Sequence, residues 1–214
     1  MSLRTLALAG LLLGAIGWWF SPYSPRVPAA PAAAAGTDLA CPLPTDAEPI
    51  DGALQTGAPG GLGPFRLQAG TLTPLAGFRI EARVLSREDY ALGREADFSP
   101  TDLALGWQRM RDDEVLSRLE ISQSARWYRY RWRGGPPIPP QEIVRSSANM
   151  HMIPASADVA RALRAVREDD VVRIDGWLVQ ADAADGWRWR SSLTRDDTGA
   201  GACELVYVCA IAVR

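Results

Sequence analysis

The sequence predicts a β-rich α+β domain: a small curled antiparallel sheet or a partly closed OB-like barrel with two or three helices, preceded by an N-terminal apolar helix and a disordered linker. Three observations point there. Phe78 to Leu85, FRIEARVL, alternates apolar and polar residues with the period of a strand. Three more strand-like runs crowd the C-terminal end, separated by the turn-forming stretches ADAADG and DDTGAGA. Gly176 interrupts the first of these runs, as glycine does at a bulge or a barrel corner. An open α+β sheet with helices on one face is the alternative.

The chain opens with MSLR and the uncharged run from Thr5 to Phe20, TLALAGLLLGAIGWWF. As a helix this run reaches roughly 24 Å, against ~30 Å for a hydrocarbon core. Trp18 and Trp19 stand where an outer aromatic belt would lie. Arg4 favours an inside N-terminus, although Arg26 weakens the asymmetry. The A-x-A sequence at Ala32 to Ala34 fits signal cleavage instead. Residues 1–20 therefore read as a signal-anchor or a signal peptide, with membrane contact through residues 5–20. The domain is expected in the periplasm on a single-pass inner-membrane anchor, or secreted or periplasmic after cleavage.

Residues 21–64 are dominated by proline, alanine and glycine. Such a stretch buries too little apolar surface to offset its ordering entropy, and it reads as a tether. One globular domain occupies 65–214. Within it, SPTD at Ser99 to Asp102 offers a capping serine, a first-turn proline and an acid, which predicts a short helix through Leu105. DDEVLSRLEI predicts a second, with Val115, Leu116 and Leu119 on one side. SADVARALRAVRE is the clearest helix, capped by Ser156, with Val159, Leu163 and Val166 in line. VVRIDGWLVQA, GWRWRSSLTR and CELVYVCAIAV then read as a meander.

All 23 basic residues of the 214 are arginines, and the formal net charge is −2. Nothing global favours nucleic acid, so any anion site must be local. The local candidate is RWYRYRWRG, Arg126 to Gly134. Tyr128, Tyr130 and Trp132 alternate there with Arg129, Arg131 and Arg133; Trp187 and Trp189 alternate with Arg188 and Arg190. A nucleic-acid surface needs aromatic and basic groups on one face. Alternation separates them, so the aromatics are expected inward and the arginines outward, meeting acids of neighbouring strands. The candidate anion strip is Arg129, Arg131, Arg188 and Arg190.

His151 is the only histidine, which excludes a multi-histidine metal site, and no G-x-S-x-G accompanies it. Its neighbours Met150, Met152 and Ile153 suit a packed structural histidine better than a general base. Glu88, Asp89, Glu95 and Asp97 fall in one loop-like stretch, SREDYALGREADFS. They could serve glycoside hydrolysis or hold Ca²⁺, yet no EF-hand spacing is present, and the interleaved Arg87 and Arg94 suggest internal ion pairs. TRDDTGAGACE lacks the lysine and following helix of a phosphate-binding loop. No cofactor or metal is expected. Cys203 and Cys209, six residues apart in one strand, lie too far apart to bridge; Cys41 could reach either, or all three stay reduced.

The blocks LSREDY, DLALGW, ISQSARWYRYRW, NMHMIPA and WRWRSSLTRDDTGAGACEL resemble a family of uncharacterised bacterial proteins with apolar N-termini. The resemblance spans roughly Thr73 to Val213 and implies one compact domain; it implies no activity. The expected function is a non-enzymatic, membrane-tethered binding or scaffold module whose partner is an envelope protein or a cell-wall component. The alternatives are a cell-envelope hydrolase using the acids of the 88–97 stretch, with His151, and an anion or nucleic-acid binder through the strand arginines.

Overall fold

The computed structural model describes residues 3–19, 41, 52–58, 60, 62–195, 197–199 and 201–214. The apolar N-terminus forms α1 (Leu3–Trp19), whose described side chains are all exposed. The chain continues with β1 (Gly52–Gly57), β2 (Phe65–Leu67), β3 (Gly70–Asp89), α2 (Arg94–Phe98), β4 (Thr101–Gly106), a 3₁₀ turn (Gln108–Arg111) and α3 (Asp113–Leu116). There follow β5 (Leu119–Ser124), β6 (Trp127–Trp132), α4 (Pro140–Arg145), β7 (Ser147–Pro154), α5 (Ala157–Ala165), β8 (Val171–Asp182), β9 (Arg188–Arg190) and β10 (Glu204–Val213).

Eight strands form one mixed sheet, ordered β1-β3-β4-β7-β10-β8-β9, with β2 on β3 and β8 returning to pair with β3. The arrangement is therefore partly ring-like. All its pairings are antiparallel except β7 with β10. The 20-residue β3 can follow such a curve because Leu75 and Leu85 are extra residues at two register shifts, which bend a strand and increase its twist. Strand alternation sends Phe78, Ile80, Leu103, Leu105, Met150, Met152, Ile174, Leu178, Val206 and Val208 into the main core. α5 covers that core with Val159 and Leu163, and Ser156 caps the helix by accepting from the Val159 amide at 3.3 Å. A second cluster gathers Phe65, Leu72, Phe98, Trp177 and Tyr207. β5 and β6 form a separate hairpin, where Tyr130 and Trp132 pack against Met110, Val115, Ile138 and Ile143.

Gly176 marks a close approach. A Cβ there would stand 2.0 Å from the Tyr207 carbonyl oxygen of β10. Directly beyond it the β8–β10 register shifts, and Cys209 is the extra residue of β10. The bulge re-aims this side chain to a disulfide with Cys41, while Cys203 remains a free thiol.

Several expectations are corrected. The sheet is mixed rather than antiparallel, because β10 inserts between β7 and β8 instead of closing a meander beside β9. Among the described residues the domain carries four helices, α2 to α5, rather than two or three, and three of them have at most six residues. The helix expected through Leu105 is the strand β4: Thr101 to Gly106 is buried throughout between β3 and β7, and tertiary pairing overrides the local capping pattern. Ser99 instead ends α2. The second helix stops at Leu116, and β5 takes over at Leu119. The acids from Glu88 to Asp97 do not share a loop; they divide between the end of β3 and α2. β9 ends at Arg190, leaving Leu193 exposed. The transmembrane helix is not found: among the described residues no helix is long and apolar enough to cross a membrane, and α1 has 17 residues. Gly52 to Gly57, inside the segment read as a tether, pair with β3; most of that segment lies outside the described residues.

Candidate functional site

The face of β4 and β7 turned away from the main core carries Asp102, Ala104, Asn149 and His151, with Asp102 opposite His151 and Ala104 opposite Asn149. The hairpin lies over this face. Its two-residue turn, Ala125 and Arg126, is left-handed at both positions (φ 50° and 69°), the turn that matches hairpin twist but that non-glycine residues resist. Arg126 offsets that cost with several contacts. Its Nη1 donates to Asp102 Oδ1 at 2.5 Å and its Nη2 to the Ser99 carbonyl at 2.9 Å. Its backbone amide donates to the Tyr90 hydroxyl at 2.8 Å, and its guanidinium stands 3.7 Å from the Tyr90 ring centre. Gln123 Nε2 donates to Asn149 Oδ1 at 2.6 Å, and Asn149 Nδ2 donates to the Arg126 carbonyl at 3.0 Å.

Asp102 is fully buried; its Oδ1 also lies 2.9 Å from His151 Nδ1, and its Oδ2 accepts from Asn149 Nδ2 at 3.4 Å. The imidazole is itself buried and lies 4.6 Å from the Trp189 ring centre. Arg126, Asp102 and Asn149 thus fasten hairpin, β4 and β7 together around a buried ion pair, the kind of pair that is costly to break from one side.

Between the hairpin, β7 and the segment leading into β10 runs a cleft of two adjoining parts. One, of about 250 Å³, is lined by Trp107, Trp127, Tyr128 and Tyr130 with Ser147, Asn149, Arg195, Asp197 and Glu204. The other, of about 290 Å³, is lined by Trp127, Trp187 and Trp189 with Glu95, Arg126, His151, Arg188 and Arg190. Trp127, Gly199 and Cys203 border both.

Glu204 Oε1 lies 2.6 Å from Arg195 Nη1, and its Oε2 has no hydrogen-bond partner among the described residues. Burial outweighs the Arg195 charge and pushes the Glu204 carboxyl up to about 7. Cys203, beside it in sequence, is pushed up to about 12, first by burial and then by the Glu204 and Asp102 charges. A thiol so protonated is a poor nucleophile at neutral pH.

Of the residues expected from sequence, His151, Arg188, Arg190 and Glu95 reach this cleft. Arg188 also pairs across the β8–β9 ladder with Asp182 at 2.7 Å; Arg190 Nη1 donates to Gln180 Oε1 at 2.9 Å. Arg129 and Arg131 lie on the exposed side of β6 and border neither part. Arg129 donates to Ser124 Oγ at 3.0 Å, and Arg133 pairs with Glu120 at 2.6 Å. Glu88, opposite Asp102 on β3, is raised by burial and by the charges of Asp89 and Asp102. Asp89 accepts from Arg87 and from the Thr101 hydroxyl at 2.8 Å, and Asp97 is exposed on α2. Among the described residues no cluster of His, Cys, Asp or Glu is suited to a metal ion.

Sequence reading missed Asp102, Arg126, Asn149, Arg195 and Glu204. A signal existed for two of them: Asp102 and Glu204 are lone acids in otherwise apolar strand runs, where a charge requires a partner. No family model, curated protein or solved structure matches the chain.

Proposed function

We propose that this chain is an exported, OB-like binding module that takes a ligand from the cell envelope in the cleft between the hairpin and the segment preceding β10. The observation that carries the reading is the continuity of the cleft past Trp127: two aromatic-lined parts share Trp127, Gly199 and Cys203 as one wall. Concave, largely apolar sites with a few polar groups are the common form of ligand pocket. The OB-like reading draws support from the strand sequence β3, β4, β7, β10, β8 and back to β3, from the parallel pair β7–β10, and from α5 placed between β7 and β8. In that fold the equivalents of β4 and β7, with the loops beside them, bind oligonucleotides and oligosaccharides.

Export to the periplasm draws support from the apolar α1 and from the Cys41–Cys209 disulfide, since such bridges persist in oxidising compartments. The N-terminus then tethers the domain to the inner membrane. Signal cleavage is a second reading, favoured by the reach of α1, roughly 25 Å at 1.5 Å per residue. N-terminal sequencing of the native protein separates the two. The hydrolase reading draws less support, because Glu95 alone of the four acids lines the cleft and the Cys203 thiol is held protonated.

The test places a photoreactive residue at Thr198, on the cleft wall, or at Arg161, on the exposed side of α5, in the full-length protein at native level. A defined adduct from position 198 and none from 161 is expected. Equal labelling at both positions, or none, refutes binding in the cleft.

A further inference from the structure

Building on the cleft as a binding site, we propose that its ligand is an oligosaccharide strand bearing a carboxylate, with sugar rings stacked along Trp127 and Trp189, a hydroxyl donating to Glu204 Oε2, and the carboxylate facing Arg190. Three features set this chemistry. The first is the buried acceptor. Glu204 is 1% exposed, borders the cleft and leaves Oε2 without a partner among the described residues. A buried acceptor left unmade is costly, and a ligand hydroxyl would satisfy it.

The second is the aromatic wall. Trp127 is 40% exposed between the two parts of the cleft, and the Trp189 and Trp187 rings follow, 5.8 Å apart centre to centre. One exposed ring followed by two half-buried rings in series suits a chain of flat-faced units better than one compact molecule.

The third is the charge balance, which decides between two polymers that both present flat rings. A single-stranded nucleic acid carries a charge on every unit and needs a basic track. Here Arg195 is opposed by Glu204, Arg126 by Asp102 and Arg188 by Asp182, while Glu95 and Asp197 add acids to the lining. Arg190 bonds a neutral amide and has no carboxylate partner among the described residues. One available cation at one end fits an isolated carboxylate, not a run of phosphates. Arg129 and Arg131, which would extend a basic track, border neither part of the cleft.

The full-length protein is titrated, by intrinsic tryptophan fluorescence and calorimetry, with a hyaluronan tetrasaccharide, with neutral chitotetraose and with oligothymidylate. The hyaluronan fragment is expected to bind best. Trp127→Ala, at an exposed hairpin position, should weaken it about tenfold, and Arg190→Gln should bring its affinity down to that of chitotetraose. Glu204→Gln, which offers an amide where the carboxylate stood, should weaken both saccharides. Equal binding of the two saccharides, unchanged by Arg190→Gln, overturns the carboxylate assignment. Preferential binding of oligothymidylate, falling steeply with salt, overturns the saccharide class. Binding of none of the three overturns this inference while a cleft-specific photo-adduct at position 198 would still uphold the binding module; absence of both refutes the two together.

Discussion

Replacing Glu204 with glutamine should change how the stability of this protein depends on pH. In the unfolded chain the carboxyl titrates near its ordinary 4.5; in the folded protein burial holds it at about 7, despite Arg195 at 2.6 Å. Between these values the folded state retains a proton that the unfolded state has released. Stability from this group is therefore greatest below pH 4.5 and is lost as pH rises through about 7. At about 1.4 kcal/mol per pH unit, the gap from 4.5 to about 7 amounts to about 3 kcal/mol. Glutamine cannot release a proton, so the variant escapes this loss whatever its fixed offset from the lost ion pair. The other titratable groups facing Glu204 are Arg195 and Asp197 from the preceding segment and the Cys203 thiol, and they are present in both proteins. Urea unfolding of both at pH 4 and pH 8 is the assay. The variant should gain about 3 kcal/mol relative to the parent between the two. Parallel pH profiles would refute a buried, proton-retaining Glu204.

Three other perturbations have definite expected outcomes. Arg126→Met strips the fully buried Asp102 of its main counter-charge and should cost about 3–5 kcal/mol in chemical denaturation, with part recovered when Asp102→Asn is added; no recovery would show that the pair is not coupled. Gly176→Ala forces a methyl against the Tyr207 carbonyl and should cost about 3 kcal/mol, at the upper end for overpacking because the opposing atom is backbone; a silent change would contradict the β8–β10 approach. Cys41→Ser opens a link across 168 positions of sequence and should lower stability by about 2–5 kcal/mol under non-reducing conditions, an effect that reduction of the parent protein should reproduce.

Local pattern in the sequence was enough where an element is decided by its own residues. Ser156 and the apolar row Val159, Leu163 and Val166 specify α5, because a cap and one buried stripe are properties of the segment itself. The alternation in FRIEARVL placed Phe78, Ile80, Ala82 and Val84 inward, and Tyr130 and Trp132 do turn inward as RWYRYRW suggested. The tertiary structure decided the rest. Thr101 to Gly106 carries a helix-start pattern, yet its burial between β3 and β7 makes it a strand. Which strand receives β10, which of two cysteines Cys41 meets, and which arginine finds Asp102 are all set by partners distant in sequence. A lone acid in an apolar run announces that a partner must exist; for Asp102 only the docking of the β5–β6 hairpin over β4 and β7 brings Arg126 within reach, because the cost of burying a charge is local and its compensation is not.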